Sequence, residues 1–206
     1  MFLEHQPAIS AWARQRPENL ARVIQFAAIS ARQPFQQIPL LMSLADLGDK
    51  GTLFGWKKKA WDTAKRDAKE IFHCCEAIAE ERPLCRERAP ALVRYLAGQP
   101  GLNLAKAGFV AQLAYGCAGC LDSVNARRLS LPPAWFASAS SFRMKRQTTP
   151  ARRLALARWY CETCERLGGV ARLWDEWCAE ISHIRPEKFP TPHDASIWHW
   201  KCLGIA

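Results

Sequence analysis

One carboxylate stands out by its neighbours. Asp122 follows a short loop, Gly116-Cys117-Ala118-Gly119-Cys120-Leu121, and precedes Asn125, Arg127 and Arg128. Upstream, Lys106 lies in an apolar run that begins after the turn-forming tetrapeptide Pro100-Gly101-Leu102-Asn103. A carboxylate takes up a proton or stabilises developing positive charge, and nearby cations neutralise an anionic group. A glycine-bearing turn that opens a helix presents unpaired N–H groups where the helix end favours anions. Such a turn suits an anionic group such as a phosphate. Gly101 lets the backbone come close, and Asn103 tolerates the left-handed conformation. A plainer role also fits. Asp122 is well placed to cap a helix made of Ser-Val-Asn-Ala-Arg-Arg. With the turn ahead of it a functional role is favoured, and the two are compatible. Lys106 reads equally as a solvated helix lysine. Asn125, one helical turn from Asp122, fits either a shared pocket or the surface.

The thiols are the other reactive group. Nine cysteines include two C-x-x-C pairs, Cys117/Cys120 and Cys161/Cys164. A zinc site would need both pairs close in space, or one pair with histidines. An iron–sulfur cluster would need four thiolates in a tight run. Cys117 and Cys120 lie in an apolar stretch, where free cysteine packs as a small hydrophobe. His73, His183, His193 and His199 show no ligand spacing. Buried thiols are therefore expected, with no metal site and no cofactor.

Helices must position these groups. Leu20, Val23, Ile24, Ala27 and Ala28 recur at helical spacing, and a second apolar run covers Phe35 to Leu47. Trp56 to Ala79 reads as one long helix with a basic start. Arg88 to Ala97 is a short helix, Leu104 to Tyr115 another, ended by Gly116. Pro150 is placed to open a helix that stops at Gly168-Gly169, and Val170 to Ile181 follows. The last twenty residues, rich in Pro, His and Trp, read as an irregular tail. Strand signals are weak. The expected class is all-α, with residues 1–206 as a single domain.

Bulk properties narrow the partners. Hydrophobic residues make up 49% of the 206, which excludes a disordered chain. No run of about 18 apolar residues exists, so no membrane partner is expected. The first residues lack the basic start and apolar stretch of a secretory signal. Lys and Arg number 29 against 19 Asp and Glu, a net charge of +10, which suits a polyanion such as nucleic acid. Lys57, Lys58 and Lys59, beside Trp56 and Trp61, form one basic region. Arg143, Lys145, Arg146, Arg152 and Arg153 form a second, suited to a DNA backbone. Trp198, His199 and Trp200 could stack on a base, although core packing is the commoner use of such residues.

The segment 96–128 resembles the helix-hairpin-helix motif and following acid of the helix-hairpin-helix DNA glycosylase superfamily. The hairpin is Gln99-Pro100-Gly101-Leu102-Asn103, the acid Asp122, the basic residues Arg127 and Arg128. Ile29-Ser30-Ala31-Arg32 is similar to the family's DNA-touching loop, and Phe54-Gly55-Trp56 with Lys59-Ala60 to the start of the helix before the hairpin. Two departures matter. Asn103 stands where the family has a second glycine. Ala105 occupies the lyase lysine position and Lys106 falls one residue later, a turn of about 100° on a helix, which speaks against Schiff-base lyase chemistry. Within the superfamily, the runs around Lys106, Phe109 and Gln112 and around Cys120, Asp122 and Asn125 look similar to the phage α-glutamyl/putrescinyl-thymine pyrophosphorylase and amino acid:DNA transferase branch.

The resemblance implies two helical layers around a DNA-binding cleft. It implies an enzyme that flips an activated 5-hydroxymethyluracil out of duplex DNA and attaches an amino acid or amine. Asp122, Lys106 and Asn125 would form the catalytic set. Arg32, Lys57, Lys59, Gly101, Asn103, Arg127, Arg128 and Arg146 would contact DNA. A phage-encoded enzyme would work in the cytoplasm of its bacterial host. The alternatives are a monofunctional glycosylase excising a modified base, and a DNA-binding module without catalysis.

Overall fold

The computed structural model describes residues 2–31, 33–81, 85–132 and 149–205. Among these residues every regular element is helical. The helices are α1 (Phe2–Ala13), α2 (Pro17–Ser30), α3 (Ile38–Asp46), α4 (Gly55–Arg66), α5 (Ala68–Glu81), α6 (Cys85–Ala97), α7 (Leu104–Tyr115), α8 (Ser123–Arg128), α9 (Pro150–Arg166), α10 (Gly169–Ile184) and α11 (Pro192–Leu203).

Two helices carry the core. Along α2, Leu20, Val23, Phe26 and Ile29 are all within 1% of fully buried, and their neighbours on the other face are buried too. A helix apolar on every side must lie inside. The same holds for α7, where Leu104, Ala107, Val110, Ala111 and Ala114 are fully enclosed. These two helices pack on each other. Helices α3, α4 and α5 cover α2, while α6 and α9 cover α7. Helices α10 and α11 pair with each other, and α1 bridges them to α7.

Local signals fix the ends that matter. Pro100 and Gly101 take the central positions of a tight turn closed by Leu102 N donating to Gln99 O at 3.1 Å. Gly101 has φ +80°, which the third residue of such a turn requires. A Cβ there would stand 2.2 Å from Trp56 O and 2.8 Å from Ala60 Cβ, so glycine also lets the turn press on α4. Asn103 then caps α7, its Oδ1 accepting from Lys106 N at 3.1 Å. Its backbone is extended, with φ −136°, so it works as a cap and not as a left-handed glycine substitute. At the other end Gly116 closes α7 with φ +62°.

Three expectations are corrected. The long helix from Trp56 is two helices, α4 and α5, meeting at Asp67. Asp67 N ends α4 on Thr63 O at 2.8 Å, Asp67 O starts α5 by accepting from Ile71 N, and its carboxylate is held by Arg66. The run from Phe35 begins as a 3-10 turn, and α3 starts only at Ile38. The C-terminal segment contains a full helix, α11. Thr191 and Asp194 form a reciprocal capping box with Pro192 at the first helical position, and Gly204 closes it at φ +75°.

Six of the eight described thiols are buried and pack as small hydrophobes. Cys75, Cys117, Cys164 and Cys178 are fully enclosed, and burial pushes the Cys178 and Cys202 thiols up to about 12.

Candidate active site

A cleft of about 1080 Å³ opens between the end of α2, the hairpin, α7, α8 and the α10–α11 pair. Small-molecule sites run to about 300–1,000 Å³, so a nucleotide and a second reactant both fit. Gly101, Asn103, Lys106, Asp122 and Asn125 all border it. Ser30 and Ala31 do as well.

Asp122 is set in place by its loop. Tyr160, wholly buried on α9, donates its hydroxyl to Gly119 O at 2.6 Å and accepts from Leu121 N at 3.0 Å. Gln112 Oε1 accepts from Cys120 N at 3.2 Å, and its Nε2 donates to Val170 O at 3.3 Å. Asn125 Nδ2 donates to Cys120 O at 2.5 Å. The four polar backbone atoms from Gly119 O to Leu121 N are thereby satisfied by three side chains from α7, α8 and α9, as buried backbone demands. Gly108 on α7 lies under this clasp. A Cβ there would meet Gly119 O at 2.3 Å and Tyr160 Oη at 2.6 Å.

The Asp122 carboxylate does cap α8, its Oδ1 accepting from Asn125 N at 2.9 Å. It is also partly open to the cleft. The cap expected from the sequence is therefore formed, and it leaves the carboxylate at the border of the cleft. Lys106 is half-buried and reaches the cleft despite its shifted register. Its ammonium stands 4.0 Å from the centroid of the Trp56 ring, a cation–π contact. Burial pushes the Cys120 thiol up, the Asp122 carboxylate pushes it further, and Lys106 pulls it back. The three groups share one electrostatic neighbourhood.

Other expected residues fall elsewhere. Lys57 is fully buried, with Nζ donating to Ile29 O at 2.7 Å, so it cannot reach a phosphate on the surface. Burial, with Lys106 nearby, brings its pKa down to about 8. Arg128 ties α8 to α10 through an ion pair with Glu176 and donates to Asn125 Oδ1 at 3.1 Å, so it is a structural strut. Hydrogen bonds from Arg172 and Arg128 hold the Glu176 carboxyl below its ordinary value. Asn125 is 1% exposed and spends both ends of its amide on Cys120 and Arg128. It positions the loop. Lys59 and Arg127 are exposed and remain available to a polyanion. Arg32 and Arg146 lie outside the described residues.

The far wall of the cleft is aromatic, which the sequence did not reveal as a unit. His199 is 1% exposed and sits among Phe26, Phe109, Trp174, Trp177 and Trp198, with centroid separations from 4.6 to 6.1 Å. These rings come from α2, α7, α10 and α11, so no sequence spacing relates the four helices' contributions. The His199 Nδ1 lies 2.9 Å from Ala195 O. A carbonyl only accepts, so Nδ1 carries the proton and Nε2 keeps its lone pair. Burial depresses the imidazole to about 4.

A pH dependence follows. In the unfolded chain this histidine protonates near 6.5, and in the folded protein only near 4. Between those values the unfolded state binds more protons, so stability falls as pH drops from 6.5 towards 4. The whole contribution is on the order of 3 kcal/mol. Urea unfolding at pH 7 and pH 4.5 should show it, and His199→Phe should flatten the difference; an equal pH dependence in both proteins would refute the assignment.

No family model, curated protein or solved structure matches this chain.

Proposed function

We propose that the cleft receives a nucleotide extruded from duplex DNA and that the protein is a DNA-base-acting enzyme of the helix-hairpin-helix glycosylase type. The reading rests on one observation: the hairpin, the Asp122 carboxylate, the Lys106 ammonium and an aromatic wall all border a single cavity. A flipped base is held by stacking on aromatic faces, and base–aromatic stacking is worth about 1–3 kcal/mol per base. The turn at Gly101 and the start of α7 suit a phosphate. Exposed Lys59 and Arg127, with a net charge of +10, suit the strand around it.

The reaction we assign is transfer of an amino acid or amine to an activated 5-hydroxymethyluracil. The amine nitrogen attacks the 5-methylene carbon, and the carbon–oxygen bond to the phosphate or pyrophosphate breaks. The leaving group departs with the electron pair. Asp122 takes the proton that the amine loses, and Lys106 neutralises the leaving group. An ammonium inside the cleft favours this over simple excision, which expels no phosphate.

The test is mass spectrometry of nucleosides after incubation with DNA bearing 5-phosphomethyluracil or 5-pyrophosphomethyluracil, with amino acids or polyamines. A nucleoside heavier by the amine, on an intact strand, is the expected result. Free base with alkali-labile abasic sites would instead establish a glycosylase. Binding without either product would leave a DNA-binding module.

A further inference from the structure

On the side of the molecule where α1 meets α11, two histidines and a carboxylate converge. Glu4 and His5 come from the first turns of α1, and His193 from the first turn of α11. One ligand atom from each lies within 4.8 Å of the other two. His5 Nε2 is 3.9 Å from Glu4 Oε1, and His193 Nδ1 is 3.8 Å from Glu4 Oε2.

We propose that Glu4, His5 and His193 bind a divalent transition-metal ion of the Zn²⁺ class. Two imidazoles and one carboxylate are a recurrent zinc donor set, and three protein ligands leave a fourth position for water. Bonds of about 2.0–2.1 Å in a tetrahedron put the donors about 3.4 Å apart. The present spacing closes to that by small rotations of Glu4 and His193, which are 58% and 46% exposed.

The second observation is the support behind His5. Its Nδ1 lies 2.8 Å from the Oγ of Ser196, a residue with no exposed surface. When Nδ1–H donates to that hydroxyl, the tautomer is fixed and the Nε2 lone pair faces Glu4. Metal-bound histidines are oriented in this way. Ser196 Oγ also accepts from Trp174 Nε1 at 3.1 Å, so the donor is anchored to the cleft's aromatic wall. The proposal departs from the expectation of no metal site. The ligands come from two helices far apart in sequence, so spacing rules could not find them. It does not depend on the reading of the cleft.

The experiment is calorimetric titration of metal-free protein with Zn²⁺, with thermal unfolding followed in parallel. Wild type should bind one ion saturably and unfold at higher temperature when loaded. His193→Ala and Glu4→Gln alter only exposed side chains, so both should fold. Each should lose at least tenfold in affinity and most of the thermal shift. Co²⁺ absorption supplies the check on donor type: bands of nitrogen and oxygen ligation are expected, without intense thiolate charge transfer. Absence of saturable binding by wild type, affinity unchanged in both variants, or a thiolate spectrum would each overturn the proposal.

Discussion

Asp122→Asn should abolish turnover while leaving the fold intact. The side-chain oxygen of asparagine still accepts from Asn125 N, so the cap on α8 survives and the melting temperature should stay within about 1 °C of wild type. What disappears is the group that accepts a proton. Loss of a positioned general base costs about 10²–10⁴-fold, and that is the expected fall in the rate of modified-nucleoside formation. Affinity for DNA should hold or rise slightly, because one negative charge leaves a basic surface. Asp122→Ala removes the cap as well and should cost about 1 kcal/mol in stability besides the activity. An Asp122→Asn protein that turns over at near wild-type rate would show that the carboxylate only caps its helix.

The second large effect concerns stability and runs against helix propensity. Gly108 lies within α7, where alanine is normally better than glycine by about 1 kcal/mol. Gly108→Ala should nevertheless destabilise by about 2–4 kcal/mol. The added methyl would fall 2.3 Å from Gly119 O and 2.6 Å from Tyr160 Oη, so it must part the clasp. Backbone atoms cannot yield as a flexible side chain would, so the loop carrying Asp122 should shift and activity should fall with stability. Tyr160→Phe is the companion. It adds no atoms but leaves Gly119 O and Leu121 N without their partner, at a cost of about 1–3 kcal/mol. Urea denaturation measures both. A Gly108→Ala protein as stable as wild type would mean the clasp is looser than described.

The two variants show how much of the site could be read in advance. The hairpin, α7 with its Gly116 stop, and Asp122 at the mouth of α8 all carry local signals: a Pro-Gly turn, an unbroken apolar run, a capping residue. The helix from Pro150 and its double-glycine stop were legible for the same reason. Lys57 was misread because a run of three lysines at a helix start usually faces water. Here the first of them turns inward to satisfy the carbonyl of Ile29, left open at the end of α2. Arg128 was misread because Glu176, its partner, lies on another helix. Tyr160 carries no local signal that sets it apart from the other residues of α9. Its role depends on where α7 and the Asp122 loop arrive, which only the tertiary fold decides. The aromatic wall and the Glu4–His5–His193 cluster are likewise products of packing. The helix α11 was the avoidable miss, since Thr191-Pro192-His193-Asp194 spells a capping box.

The close seat of Gly101 on the carbonyl of Trp56 has a mechanical consequence. The ring of that same tryptophan carries the ammonium of Lys106. Turn, indole and ammonium thus form one continuous line of contacts along the cleft. Anything clamped at the turn is therefore gauged against a fixed point inside the cavity, as work in a jig is gauged against its stop. On the proposed reading, a strand one nucleotide out of step would present the wrong residue to the lysine.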